Sequence, residues 1–241
     1  MTQTPNISNR GPLYAAMLAA GWLSLHVYGV FFLDLGASPF VAAALIFLLT
    51  WIYTGLFIVA HDAIHETLFG RGNLWNDRIG TVIHFLYAGF SFKAMKAAHI
   101  DHHLYPGTER DPDFNADDPE RFVPWFLKFF TRYFGLRQLA VLTLLAILQF
   151  ALGANPLNLV LMWGVPAILS SVQLFYFGTF LTHRHHDEFA DEHNARSNTF
   201  PEWLSLLTCF HFGYHHEHHL HPAEPWWRLP AKRRESLESA S

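Results

Sequence analysis

Residues 40–65 read FVAAALIFLLTWIYTGLFIVAHDAIH. From Phe40 to Ala60 there is no charged side chain, and at ~1.5 Å rise per residue the run is long enough to cross the ~30 Å hydrocarbon core of a bilayer. It closes on His61-Asp62-Ala63-Ile64-His65, so an apolar helix delivers two imidazoles, at i and i+4 on one face, to a membrane surface.

Working outward, three further stretches lack charge: Leu13 to Leu33, Leu139 to Gly153 with its flanks, and Leu157 to Thr182. Turn residues separate them in pairs, Asp34, Gly36, Ser38 and Pro39 in the first and Gly153, Asn155 and Pro156 in the second. The expected fold is an all-α integral membrane domain over residues 1–241, with four transmembrane helices at about 13–33, 40–60, 137–153 and 157–182 arranged as two hairpins. The third stretch is short and carries Gln149. The polar residues before Pro12 show no basic n-region or small-residue cleavage site, so the first span is expected to be retained. Ile79 to Ala98 and Phe122 to Phe134 mix apolar and basic residues and are expected to form helices at the membrane interface, with Lys93, Lys96, Lys128 and Arg132 toward head groups.

Composition agrees. The chain is 51% apolar with only 15% charged residues, which is high for a soluble protein. A net charge of -4 gives no field suited to nucleic acid. A lone cysteine, Cys209, excludes a disulfide framework, a four-cysteine zinc site and a built-in iron–sulfur cluster. Histidine is the outlier, 17 against 16 Lys and Arg together.

Two hairpins would put the N-terminus, residues 61–138 and the tail from His183 on one side. All 16 Lys and Arg fall in those segments, and the connecting turns have none. By the positive-inside bias that side is the cytoplasm, which places a histidine-rich cap on the inner face of the cytoplasmic membrane. The same topology puts every histidine except His26 there.

Three boxes stand out. After His61 and His65 comes His99-Ile100-Asp101-His102-His103, and the tail repeats the H-x-x-H-H spacing in His215-His216-Glu217-His218-His219. Eight imidazoles, from His61, His65, His99, His102, His103, His215, His218 and His219, exceed the ligand count of one tetrahedral ion, so two metals are implied. Imidazole suits iron, copper, zinc and nickel alike. The Glu-x-x-His pairs of soluble di-iron bundles are absent. Histidine ligands commonly donate their second nitrogen to a carboxylate; Asp62, Asp101 and Glu217 lie within the boxes, and Glu109, Asp111, Asp113, Asp187 and Asp191 lie close by.

The order HxxxH, HxxHH, HxxHH resembles the membrane fatty acid desaturase and hydroxylase superfamily. Within it, residues 209–222 (CFHFGYHHEHHLHP), 225–230 (PWWRLP), 179–184 (TFLTHR) and 193–197 (HNARS) resemble bacterial β-carotene ketolases. The resemblance implies an O2-dependent non-haem di-iron oxygenase, with two Fe ions, O2 as co-substrate, external electrons from a ferredoxin-type donor, and a carotenoid substrate arriving from the bilayer. It implies two successive hydroxylations at C4 of a β-ionone ring followed by loss of water, giving echinenone, canthaxanthin and astaxanthin-type ketones. It also implies a ninth ligand at the end of the last span, where this chain has His183; His186, His193 and His216 compete for that place.

Other readings fit less of the chain. His61 to His65 is a metalloprotease HExxH with Asp in place of the general base, but the other boxes would then have no task. A metal transporter would need polar groups inside the spans. A carotenoid hydroxylase or a fatty acid desaturase would share the boxes. Lys232, Arg233 and Arg234 are candidates for docking an acidic electron donor or for a plain membrane-surface anchor.

Overall fold

The computed structural model describes residues 10–185 and 188–239. Within them every regular element is helical, and the only β pairing is an isolated bridge between Ser197 and Tyr214. Three helices are long and apolar enough to cross a membrane: α1 (Arg10–Phe32), α2 (Pro39–Ile64) and α7 (Pro156–His183). The chain is a multi-pass membrane protein.

Helix α2 is the axis of the fold. It starts at Pro39, whose fixed φ suits a first helical turn, and packs against α1, α7 and α3 (Leu74–Ala88). Toward its histidine end it is buried on every side, with Tyr53, Ile58, Val59 and Ala63 fully enclosed. Elsewhere the surface is apolar, with Phe40, Phe47 and Leu144 among the exposed side chains, as expected where lipid is the solvent. Polar groups at membrane depth find partners inside the protein. The Asn158 amide donates to the carbonyls of Gly29 (2.8 Å) and Leu33 (2.9 Å), where α1 loosens into a π-helical turn. His26 of α1 lies 2.7 Å from Gln149.

The expected third span has a different build. Helix α6 (Leu136–Ala151) has 16 residues, about 24 Å of rise, short of a full bilayer core. It joins α5 (Phe122–Tyr133) at a 74° bend, so the fourth crossing exists only if this broken pair is taken together. Residues 79–98 also depart from expectation. They form two helices, α3 and α4 (Phe92–Leu104), because Gly89 adopts a left-handed φ of 69° at the C-cap of α3 and the Ser91 hydroxyl caps the start of α4. The break turns α4 back, so its second half, with His99, His102 and His103, meets the end of α2.

The tail completes the assembly. After α8 (Glu202–Cys209) the chain turns through Phe210 and His211, both at positive φ, which side chains seldom adopt. Two close approaches hold this turn. A Cβ on Gly55 of α2 would lie 2.5 Å from the Phe210 ring, and one on Gly178 of α7 would lie 2.7 Å from the Phe212 ring. Only glycine lets these rings sit against both spans, and the short helix α9 (His215–Leu220) is thereby aimed at the ends of α2 and α7. Helix α10 (Leu229–Ser239) packs behind α9.

Candidate metal centre

The three boxes and His183 converge on two adjacent groups. In the first, ring nitrogens of His61, His65, His99, His103 and His218 all lie within 4.8 Å of one another; in the second, those of His102, His183, His215 and His219 do. Helical geometry explains the division. On α4, His99 and His103 share a face and enter the first group, while His102 turns into the second; on α9, His215 and His219 share a face and enter the second, while His218 enters the first. Each helix therefore bridges both groups, and the His103 and His219 rings stack between them at 4.3 Å.

The spacing of donors fits metal ions. His99 Nε2 lies 2.9 Å from His61 Nε2, 2.8 Å from His65 Nε2 and 3.1 Å from His103 Nε2. A single imidazole nitrogen cannot hold three such hydrogen bonds at once. Nitrogens bound to one ion at ~2.0–2.1 Å, however, are separated by about 2.9–3.4 Å along the edges of an octahedron or tetrahedron. In the second group His219 Nε2 is 3.1 Å from His215 Nε2 and 3.2 Å from His102 Nε2. His183 adds an orphaned atom. Its Nδ1 donates to the Asn194 carbonyl at 2.7 Å, which fixes the tautomer, and the buried Nε2 has no partner among the described residues. A pair of ions would be held by the first and second groups respectively.

Charge supports this fit. Burial, reinforced by neighbouring imidazoles, pushes His99, His215, His218 and His219 well below the ordinary histidine value, and His65 down to about 4. They are thus neutral, the form a metal requires. His102 is the exception: burial opposes its charge, but Asp111 more than offsets this and raises it. Both Asp111 oxygens face His102 Nδ1, at 3.0 and 2.9 Å, and the carboxylate is itself fixed by the N–H groups of Gly107 (2.9 Å) and Asp113 (2.8 Å).

The other candidates sit elsewhere. Asp62 Oδ2 accepts the Trp226 N–H at 3.2 Å and Oδ1 stands 3.6 Å from His61 Nδ1, so it ties the tail to α2 beside a box histidine. Glu217 is fully buried between two box histidines but accepts from Arg233 at 2.9 Å and from the Ser197 hydroxyl, not from an imidazole. Asp101 is exposed and, among the described residues, has no hydrogen bond to a histidine: one position from His102 on a helix, it points about 100° away. His216 pairs with Asp191 at 2.7 Å, outside both groups, and the His193 ring is 6.1 Å from that of His219. His186 and Asp187 lie outside the described residues. Lys232, Arg233 and Arg234 are each engaged within the chain, by Glu235, Glu217 and Glu202.

An apolar cavity of about 560 Å³ opens beside the histidines. His61, His99, His102 and His215 form one end, and Phe57, Trp163 and neighbouring side chains of α5, α6 and α7 enclose the rest. Sequence reading did not find it, because its walls come from segments far apart in the chain.

An all-helical membrane protein with paired imidazole cages at the ends of its spans defines a class, that of membrane proteins with a histidine-lined centre fit for two metal ions. The fatty acid desaturase family model matches residues 36–142 and 133–240, and the chain belongs to that family. Two β-carotene ketolases from Paracoccus sp. strains are each 46% identical to it, one over 90% of this chain and 89% of its own length, the other over 97% and 95%. A zeaxanthin 4-ketolase of Chlamydomonas reinhardtii is 36% identical over 91% of this chain and 52% of its own. No solved structure matches the chain.

Proposed function

We propose that this chain is a β-carotene 4-ketolase, which converts the C4 methylene of a β-ionone ring to a ketone using O2 and external electrons. The observation that carries the reading is the placement of nine ring nitrogens, in two adjoining groups, at the end of an apolar cavity. Likeness over nearly full length to β-carotene ketolases supports the substrate class.

His61, His65, His99, His103 and His218 would hold one iron and His102, His183, His215 and His219 the other. Bound iron supplies, with O2, the oxidising power to break an allylic C–H bond. The protein does the rest. Asp111 and the Asn194 carbonyl accept the Nδ1–H groups of His102 and His183 and so keep each Nε2 lone pair turned inward. Phe57, Phe129, Leu142 and Trp163 supply apolar walls that exclude water and favour a polyene end-group over a polar substrate. Two hydroxylations of the same carbon give a geminal diol, and loss of one water leaves the ketone.

The domain would sit in the cytoplasmic membrane with residues 61–138 and the tail forming a cap on the cytoplasmic side, as the distribution of Lys and Arg supports. Electrons would come from a ferredoxin-type donor. Expression in a β-carotene-producing bacterium tests the whole reading. Keto-carotenoids in the extract, with iron in the purified protein, are the expected result; hydroxylated or unchanged pigment alone would overturn it.

A further inference from the structure

The cavity has one carboxylate among its described lining residues, and that carboxylate holds no imidazole. Asp113 lines the cavity together with His102, and one of its oxygens lies within 4.8 Å of a ring nitrogen of His102. Its backbone is pinned on both sides: the N–H donates to Asp111 at 2.8 Å, and the carbonyl accepts the Trp125 indole N–H at 2.7 Å. Its Oδ1 accepts the Tyr133 hydroxyl. Among the described residues nothing donates to Oδ2. Other cavity hydroxyls differ, since Tyr87 pairs with Ser170 at 2.9 Å and Ser171 donates to the Ile168 carbonyl at 2.7 Å.

Asp113 is half-buried and lines an apolar cavity, where a carboxylate oxygen without a donor is costly unless one comes to it. On the ketolase reading, on which this inference rests, the substrate can bring that donor. C4 of a β-ionone ring must face the histidines to react. Of its two ring neighbours, C5 belongs to the ring double bond and C3 is saturated, so C3 is the neighbour able to carry a hydroxyl. With C4 at the histidine end, the C3 substituent lies at that same end, where Asp113 stands beside His102. We propose that Asp113, oriented by Tyr133, is a specificity-determining residue that accepts a hydrogen bond from a C3 hydroxyl, so that this site prefers 3-hydroxylated carotenoids to unsubstituted ones.

The test sets β-carotene against its 3,3′-dihydroxy derivative at equal concentration, with the iron-loaded protein in lipid nanodiscs. Product ratios under turnover give the ratio of kcat/KM values. Pigment absorbance titrations without reductant or O2 give the ratio of Kd values, independent of turnover. Asp113→Leu should lower the preference for the hydroxylated pigment by about tenfold in both ratios, the weight of a hydrogen bond to a charged acceptor. Asp113→Asn keeps a neutral acceptor and the shape of the site, and should lower it about threefold. Tyr133→Phe removes the hydroxyl that orients the carboxylate but leaves the acceptor, and should lower the preference by less than Asp113→Leu does. Ratios within twofold of wild type in both Asp113 variants would overturn the proposal, as would a fall in Tyr133→Phe matching that of Asp113→Leu. A wild-type protein that makes no ketone from either pigment would instead remove the ketolase reading.

Discussion

The Nδ1 of His102 lies 3.0 and 2.9 Å from the two carboxylate oxygens of Asp111, and both residues are buried. This pairing decides which nitrogen of His102 is free to bind a metal. It also keeps the imidazole rotation fixed at the junction of the two histidine groups. Replacing Asp111 with Ala should lower iron affinity by about 10–100-fold, as loss of an orienting partner does in other metal sites. Iron per protein chain after dialysis against a graded chelator measures it. Unchanged retention would mean that the contact is incidental.

His183 gives a second prediction. Its Nε2 is buried without a partner among the described residues, whereas His216 is taken up by Asp191 at 2.7 Å. His183→Ala should therefore lose iron and at least about a hundredfold in keto-carotenoid formation, roughly 2.7 kcal/mol on the barrier. His216→Ala should keep activity within a few-fold. The reverse pattern would transfer the ninth ligand to His216.

These contrasts show what could be seen in the sequence. The boxes were legible because i and i+4 spacing alone puts two imidazoles on one helix face, whatever the tertiary fold. The long apolar runs of α1, α2 and α7 were legible for the same local reason. The choice among eight nearby carboxylates was not, since Asp111 reaches His102 only because the loop after α4 doubles back, with Gly107 N–H closing on Asp111 at 2.9 Å. Asp101 could have been set aside by helical spacing once His102 was placed. The break at Gly89 was concealed by apolar and basic residues continuing on both sides, although glycine followed by Ser91 is a recognisable stop and start. His183 came through family resemblance, because nothing local marks a histidine at a span's end as facing inward.

The close approach of Gly55 to Phe210 predicts a packing defect. A methyl at Gly55 would meet the Phe210 ring at 2.5 Å, and that ring is already held by Trp51 at a centroid distance of 4.5 Å and by Trp226 at 5.3 Å. Gly55→Ala should destabilise the fold by about 1–3 kcal/mol, the range for overpacking a tight interior. Thermal inactivation in detergent checks this. Combining it with Phe210→Leu should recover part of the loss; no recovery would place the strain elsewhere.

Within the apolar layer, His26 and Gln149 join α1 to α6 at 2.7 Å. Since α6 is short and bent away from α5, this bond is one of its polar anchors. Each single change, His26→Leu or Gln149→Leu, should cost about 1 kcal/mol, and the double mutant should cost less than the sum by about 0.6–1.7 kcal/mol. Additive losses would show that the two side chains act independently.

The tail arginines separate structure from docking. Arg233 is 22% exposed and bonds at 2.9 Å to Glu217, whose side chain is 0% exposed and sits between His215 and His218. Lys232, 18% exposed, pairs with Glu235, itself largely exposed. Arg233→Ala leaves a buried carboxylate with Ser197 as its remaining donor, and should cost stability toward the low end of the about 3–5 kcal/mol seen when one partner of a buried pair is removed. Because Glu217 lies on the helix that supplies both histidine groups, iron retention should fall with it. Lys232→Ala should change stability less than Arg233→Ala does, because the carboxylate it leaves behind, Glu235, is solvated. If instead both variants keep their iron and melting temperature while the half-saturating concentration of ferredoxin rises, these residues serve the electron donor and not the fold.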